Sequence, residues 1–193
     1  MSSSGSLFPL FLKLEGRKVV VIGGGVVAAS KVKSLVPSGA RITVVAPSIR
    51  PELEISGIAL VRRAFSPRDL EGAWLAIAAA PAAVNRRVAA AAQRRRIFVN
   101  AVDDPPAGSA YTGSVLRRGG ATIAISTEGQ APALAGLLRE ALEGVLPQEL
   151  ELWISCARLL REQWRAEKRP IGQRRPLLLQ ALNELYSQPG AES

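Results

Sequence analysis

The amino-acid sequence predicts an α/β fold in which a doubly wound parallel sheet is followed by a smaller, mainly helical part. Two observations predict it. Short β-branched runs alternate with Ala-rich helical segments over residues 17–101, and the proline-rich stretch Asp104–Gly108 ends this alternation. Strands that alternate with helices in this way are typical of a parallel sheet covered by helices on both faces.

The elements of the sheet can be assigned in order along the chain. Arg17–Ile22 is predicted as the first strand and Val26–Val36 as the first helix, which Pro37 ends. Arg41–Val45 is predicted as the second strand and completes a βαβ unit. The remaining elements are predicted strands at Ala59–Arg62, Trp74–Ala79 and Ile97–Ala101, with a helix over Ala82–Arg94.

A glycine-rich turn joins the first strand to the first helix. Gly23, Gly24 and Gly25 follow the strand directly, and Gly23, Gly25 and Ala28 form a G-x-G-x-x-A pattern. The first glycine of this pattern allows a sharp turn, the second leaves room for a pyrophosphate, and the alanine lets helix and strand pack closely. The turn predicts a Rossmann-like dinucleotide site at a helix N-terminus, although a purely structural turn has the same pattern.

The loop after the second strand leaves the choice between NAD and NADP open. Many such sites have an acidic residue here that bonds the ribose 2′-hydroxyl. This chain has Ala46, Pro47, Ser48, Ile49 and Arg50 instead. Ser48 offers a hydroxyl and Arg50 a partner for a phosphate, but both also fit an ordinary loop.

Asp103 is the candidate for acid–base chemistry. It follows the strand Ile97–Ala101 at its carboxyl end, where open α/β sheets bind ligands. The chain has no histidine, so a carboxylate, Lys, Tyr or Cys must move any proton. The alternatives are that Asp104 has this role, or that one of the two residues caps the turn before two prolines.

The second part of the chain is predicted to carry a strand and three helices. Ala121–Ser126 is the strand, and Pro132–Gly144 is a helix with leucines on one face. An amphipathic helix follows Pro147, and a last helix is predicted over Pro176–Tyr186. We expect a dinucleotide-binding domain in residues 1–112, a dimerisation segment in residues 113–147 and a helical domain in residues 148–193.

Composition limits the class of protein. The 193 residues are 48% hydrophobic and 21% charged, which suits a chain with a buried core. No long apolar run or basic leader is present, and Cys156 is the single cysteine. These features predict a cytoplasmic protein without membrane spans, disulfides or a metal site.

The charge is strongly positive, with 25 Lys and Arg against 16 Asp and Glu, a net +9. Residues 86–120 contain seven arginines and only two acidic residues, Asp103 and Asp104: the arginines are Arg86, Arg87, Arg94, Arg95, Arg96, Arg117 and Arg118. Such an excess is either a solvated face or a surface that attracts a polyanion. Nucleic acid is disfavoured as the polyanion, because no recognition helix is identifiable.

In the order and spacing of its motifs, the chain resembles the precorrin-2 dehydrogenase and sirohydrochlorin ferrochelatase family. The resemblance runs from about Phe8 to Leu150. The motifs that carry it are Phe8–Leu14, Val21–Ala28 with Lys31, Asn100–Pro105, Ala124–Thr127, Gly129, Pro132–Ala135 and Leu138–Glu140.

The resemblance implies an activity and a set of site residues. NAD binds the glycine turn and contacts Val26 and Val27, Pro47 and Ser48 lie near the adenosine ribose, and Asp103 matches the catalytic aspartate of the family. The reaction oxidises precorrin-2, a polycarboxylate tetrapyrrole, to sirohydrochlorin, and some members then insert ferrous iron. Members are homodimers built through the middle segment.

Two segments depart from the family pattern near the substrate. Ala110–Gly113 replaces a Phe-x-x-Pro element, and Glu128–Pro132 replaces Gly-Gly-Lys-Ser-Pro. These changes put substrate fit and iron insertion in doubt without affecting the cofactor motif. The alternative function is a non-catalytic, dinucleotide-sensing module that regulates a partner.

Overall fold

The computed structural model describes residues 6–102 and 104–187. The chain divides into two compact units, Met1–Thr112 and Gly113–Ser193. Each unit has its own sheet.

The first unit contains a five-stranded parallel sheet, which confirms the predicted fold class. The strands are β1 (Lys18–Ile22), β2 (Arg41–Val45), β3 (Ala59–Val61), β4 (Ala73–Ala78) and β5 (Phe98–Ala101). Their order across the sheet is β3-β2-β1-β4-β5, and every neighbouring pair is parallel. The chain therefore builds the sheet outward from β1 in one direction and then in the other, which is the Rossmann arrangement.

Two helices bury the two faces of this sheet. Helix α1 (Val26–Leu35) packs with Val19 and Val21, whereas α2 (Ala82–Arg94) packs with Val20 and Ile22. Successive residues of a strand point to opposite faces, so β1 is buried on both sides. This double burial explains why β1 is a nearly continuous β-branched run.

The second unit begins with a hairpin. Strands β6 (Ser114–Arg118) and β7 (Ala121–Ile125) pair antiparallel, and Gly119 and Gly120 turn between them with φ of 53° and 85°. Strand β6 is not among the strands that the sequence predicts. Its signal is the Gly-Gly pair, because two-residue hairpin turns favour glycine where φ is positive.

Three helices complete the second unit: α3 (Pro132–Val145), α4 (Leu150–Ala166) and α5 (Ile171–Ser187). The predicted start of α5 at Pro176 is wrong, because the helix begins five residues earlier and contains the proline. Trp153 of α4 donates a hydrogen bond to the Tyr186 hydroxyl at 2.9 Å, which joins α4 to α5. No helix within residues 6–102 and 104–187 is long and apolar enough to cross a membrane.

Candidate dinucleotide site

The candidate site lies at the carboxyl ends of β1, β2 and β4. Successive strands are added on one side of β1 as far as β3, and then β4 is placed on its other side. Open α/β sheets bind ligands in the crevice at such a reversal point. The glycine turn after β1 lies at this point of the sheet.

Gly23 turns the chain directly after β1, between the ends of the two strands that flank it, β2 and β4. Its φ is +126°, and a Cβ atom here would lie 2.1 Å from the Ala79 carbonyl oxygen. Its N–H donates to the Val45 carbonyl at 3.0 Å. Only glycine combines this dihedral angle with so close a backbone approach.

The next two glycines have different surroundings. A Cβ on Gly24 would lie 2.0 Å from the Ser48 carbonyl oxygen, and the Gly24 carbonyl accepts the Arg50 N–H at 3.0 Å. A Cβ on Gly25 would meet no atom within 4 Å. Gly24 therefore packs against the loop after β2, whereas Gly25 borders open space.

The N-terminus of α1 provides backbone donors beside that open space. The first intrahelical bond runs from the Ala29 N–H to the Gly25 carbonyl at 3.0 Å. The N–H groups of Val26, Val27 and Ala28 precede it, and such groups favour a phosphate. The Val26 and Val27 side chains are exposed, whereas Ala28 is fully buried in the core between α1 and the sheet.

A cavity of about 500 Å³ opens at this edge of the sheet. Of the candidate cofactor residues, Gly23, Gly24, Gly25, Pro47 and Ser48 line it, while Val26, Val27 and Ala28 do not. Lining residues that sequence reasoning missed are Ala64, Phe65, Ala80, Pro81, Val84 and Arg87. Ala64–Phe65 and Ala80–Pro81 follow the ends of β3 and β4, so the rule about carboxyl ends would have found them.

Arg50, the candidate partner for a 2′-phosphate, is bound to a neighbouring acid. Its Nη2 and Nε atoms contact the Glu52 carboxylate at 2.6 Å and 3.1 Å. This hydrogen-bonded pair raises the pKa of Arg50 and lowers the pKa of Glu52, so both side chains stay charged. Arg50 does not line the cavity.

The candidate acid–base residues lie beyond the end of β5. Asp103 lies outside the described residues. Asp104 precedes a short 3-10 turn, Pro105–Ala107, and its side chain makes no capping hydrogen bond there. The structure therefore assigns no capping role to the Asp104 carboxylate.

The arginine-rich region is divided between the two units. Arg87 lines the cavity, and Arg118 donates a hydrogen bond to the Leu146 carbonyl at 2.8 Å. Among the described side chains, none of the seven arginines forms a salt bridge. Within residues 6–102 and 104–187, no carboxylate therefore pairs with these seven charges.

These residues fit a dinucleotide. The cavity has the usual size of a small-molecule site, one wall is a glycine turn with space at Gly25, and helix α1 begins directly after that turn. Gly23–Gly25 and the first turn of α1 would hold a pyrophosphate, and Pro47 and Ser48 would lie beside a ribose.

A family model described as "Putative NAD(P)-binding" matches residues 10–114, more than half of the chain. The chain belongs to this NAD(P)-binding family. A second model, described as "Sirohaem biosynthesis protein central", matches residues 118–144. The family match covers both the glycine turn and the loop after β2.

Curated relatives add detail to the family assignment. The chain is 42% identical over 172 residues to Siroheme synthase 3 of Aeromonas hydrophila and 41% identical to a siroheme synthase of Citrobacter koseri. Each match covers 86% of this chain but only 37% and 38% of the relative. The chain thus spans little more than a third of the length of these relatives.

A solved structure is similar over nearly the whole chain. SirC, a precorrin-2 dehydrogenase, has a TM-score of 0.71 and 25% sequence identity, and the match covers 90% of this chain and 88% of SirC. Together with the siroheme relatives, this match confirms the resemblance drawn from the motifs.

Proposed function

We propose that this chain catalyses the NAD-dependent oxidation of precorrin-2 to sirohydrochlorin in siroheme biosynthesis. The observation that carries the proposal is the extent of the likeness to SirC, which covers 90% of this chain. That coverage exceeds the length of either unit, so the likeness is not limited to a dinucleotide-binding fold shared by many enzymes.

The residues have distinct tasks in this proposal. The glycine turn and the first turn of α1 bind the pyrophosphate, and Ser48 bonds the adenosine ribose. Bound NAD supplies the acceptor for the hydride that leaves the substrate. Asp103 accepts the proton that leaves with it. The seven arginines of residues 86–120 attract the carboxylates of the macrocycle.

The test is an anaerobic assay that follows NADH and sirohydrochlorin by their absorbance spectra. We expect the two products to form at the same rate when the protein is mixed with precorrin-2 and NAD. A dinucleotide-sensing module would bind NAD in a titration without turnover. That result would exclude the enzyme and leave the alternative function.

Ferrous iron is a second candidate substrate, because the curated relatives are named siroheme synthases. Among the described residues, no group of three or more His, Cys, Asp or Glu side chains could hold a metal ion. An anaerobic assay with ferrous iron and sirohydrochlorin tests insertion directly. Siroheme that forms faster than in a protein-free control supports it, and equal rates exclude it.

Residues 113–147 are proposed to form a homodimer, and residues 148–193 to act as a helical domain beside the substrate. The support is an exposed apolar face on α3, where Leu134, Leu137 and Val145 are 49%, 63% and 80% exposed. Exposed apolar surfaces of this kind mark interaction sites. Leu137→Lys should convert a dimer to a monomer in light scattering, and an unchanged mass would contradict this proposal.

We also propose that the protein is located in the cytoplasm.

A further inference from the structure

Asn85 lies in the first turns of α2 and is almost completely buried, with 3% of its surface exposed. In the part of the chain that the structure describes, Asn85 and Asn100 are the two buried polar side chains. A buried amide is costly unless its donor and acceptor are both satisfied. Its position therefore requires specific partners.

Both ends of the Asn85 amide are satisfied by backbone groups from two different loops. The side-chain oxygen accepts the Ala80 N–H at 3.0 Å, and the side-chain nitrogen donates to the Val102 carbonyl at 3.2 Å. The reversed orientation would place nitrogen against N–H and oxygen against carbonyl. The two partners thus determine how the amide is oriented.

The two loops are functionally different. Ala80 follows β4 and lines the candidate cofactor cavity, as does the adjacent Pro81. Val102 follows β5, and its carbonyl belongs to the peptide bond that leads into Asp103. One buried side chain therefore connects the wall of the cavity to the start of the loop that carries the candidate base.

We propose that Asn85 is a positioning residue, which holds the peptide before Asp103 in a fixed place relative to the cofactor cavity. The inference rests on the proposed function, in which Asp103 takes a proton from the substrate beside the bound dinucleotide. Small errors in the placement of a reacting group reduce rates strongly, so a fixed loop favours catalysis.

Asn85→Asp is the discriminating variant, because it keeps the shape and the acceptor for Ala80 but removes the donor to Val102. An ionised carboxylate would also face the Val102 carbonyl oxygen, and the two oxygens repel each other. We expect kcat to fall by about tenfold or more while the Kd for NAD changes by less than about threefold. Val88→Ala, at a fully buried position on the same helix, is the control with lowered stability and unchanged kcat.

A pH profile separates positioning from simple destabilisation. Burial raises the pKa of the introduced carboxyl group, and its protonated form can donate to the Val102 carbonyl again. Relative to wild type at each pH, the kcat of Asn85→Asp should recover as the pH falls from about 8 to about 6. A ratio that is independent of pH, or a normal kcat with only a lower Tm, would overturn the proposal.

Hydrogen exchange provides a readout that is independent of turnover. The amides that follow β5 should exchange faster in Asn85→Asp than in wild type, and Val88→Ala should not show this local increase. Unchanged exchange after β5 would also overturn the positioning role. If wild-type protein binds NAD but does not oxidise precorrin-2, the proposed function fails, and the exchange data decide the structural connection separately.

Discussion

A Cβ atom on Gly24 would lie 2.0 Å from the carbonyl oxygen of Ser48, so the glycine turn and the loop after β2 are in direct backbone contact. Gly25, the next residue, has no atom within 4 Å of its own Cβ position. The two adjacent glycines therefore differ: Gly24 is in close backbone contact, whereas Gly25 borders the space in which we propose that the pyrophosphate binds.

This difference predicts that a substitution at Gly24 mainly affects stability, whereas a substitution at Gly25 mainly affects NAD binding. Gly24→Ala should lower the Tm, because backbone atoms of the loop must move. Gly25→Val should lower the Tm less, since φ at Gly25 is −89° and the space is open, so that only a favoured N-cap residue is lost. It should weaken NAD binding tenfold or more, about 1.4 kcal/mol, because the branched side chain occupies the path of the pyrophosphate. Calorimetry and NAD titration measure both effects, and a normal NAD affinity in Gly25→Val would remove this turn as the cofactor site.

The bidentate contact between Arg50 and Glu52 predicts a preference for NAD. The Arg50 guanidinium donates two hydrogen bonds to the Glu52 carboxylate, so it is not free to bind a 2′-phosphate. Wild-type protein should therefore have the higher kcat/KM with NAD. Glu52→Gln should raise kcat/KM for NADP severalfold relative to NAD. Glu54→Gln is the matched control, because it removes a similar exposed partner from Arg62 instead. A higher kcat/KM with NADP in wild type would contradict this account.

The parts of the fold that could be predicted from sequence are those with a local signal. Strands β1 and β2 are buried on both faces and are β-branched runs, and the glycine turn follows β1 directly. Val84 and Arg87 carry no such signal, because side chains of a helix reach the cavity only after the chain has folded. Asn85 is also inconspicuous in its Ala-rich helix, since its role depends on two loops that are distant from each other in sequence.

The hydrogen bonds of the Asp69 carboxylate predict that the folded protein loses stability in acid. Its carboxylate contacts Arg63, accepts the Ser66 N–H at 2.8 Å and belongs to a capping box at a 3-10 turn. The hydrogen bond from Arg63, followed by that from Ser66, lowers the pKa of Asp69 below its usual value. A lowered pKa in the folded state stabilises the protein above the unfolded pKa of about 4, and this stabilisation is lost as pH falls through the folded value.

Asp69→Asn should therefore lower the free energy of unfolding at pH 7 by up to about 1 kcal/mol, because it removes the charge that pairs with Arg63. The difference from wild type should shrink as the pH falls below about 4. Urea unfolding at several pH values measures it. A difference that stays constant across this range would show that the Asp69 charge does not contribute.

The seven arginines of residues 86–120 predict that the KM for the tetrapyrrole depends on salt concentration. Attraction between exposed charges is screened over about 8 Å at physiological ionic strength. The KM for the tetrapyrrole should therefore rise with salt, while the affinity for NAD changes less, because the macrocycle carries more carboxylates than NAD carries phosphates. Steady-state kinetics from low to high salt provide the measurement. A flat KM would leave these arginines as a solvated surface.

The last prediction concerns Asp103 as the general base. Asp103→Asn preserves the shape of the side chain but cannot accept a proton, so kcat should fall by about 100-fold to 10,000-fold while NAD binding persists. Asp104→Asn is the internal control. Because the Asp104 side chain makes no capping bond, this variant should keep both its Tm and its kcat. If Asp103→Asn turns over normally and Asp104→Asn does not, the base is the neighbouring residue. If both variants stay active, solvent or the carboxylates of the substrate take the proton, and the contribution of the protein is to orient the macrocycle against the nicotinamide.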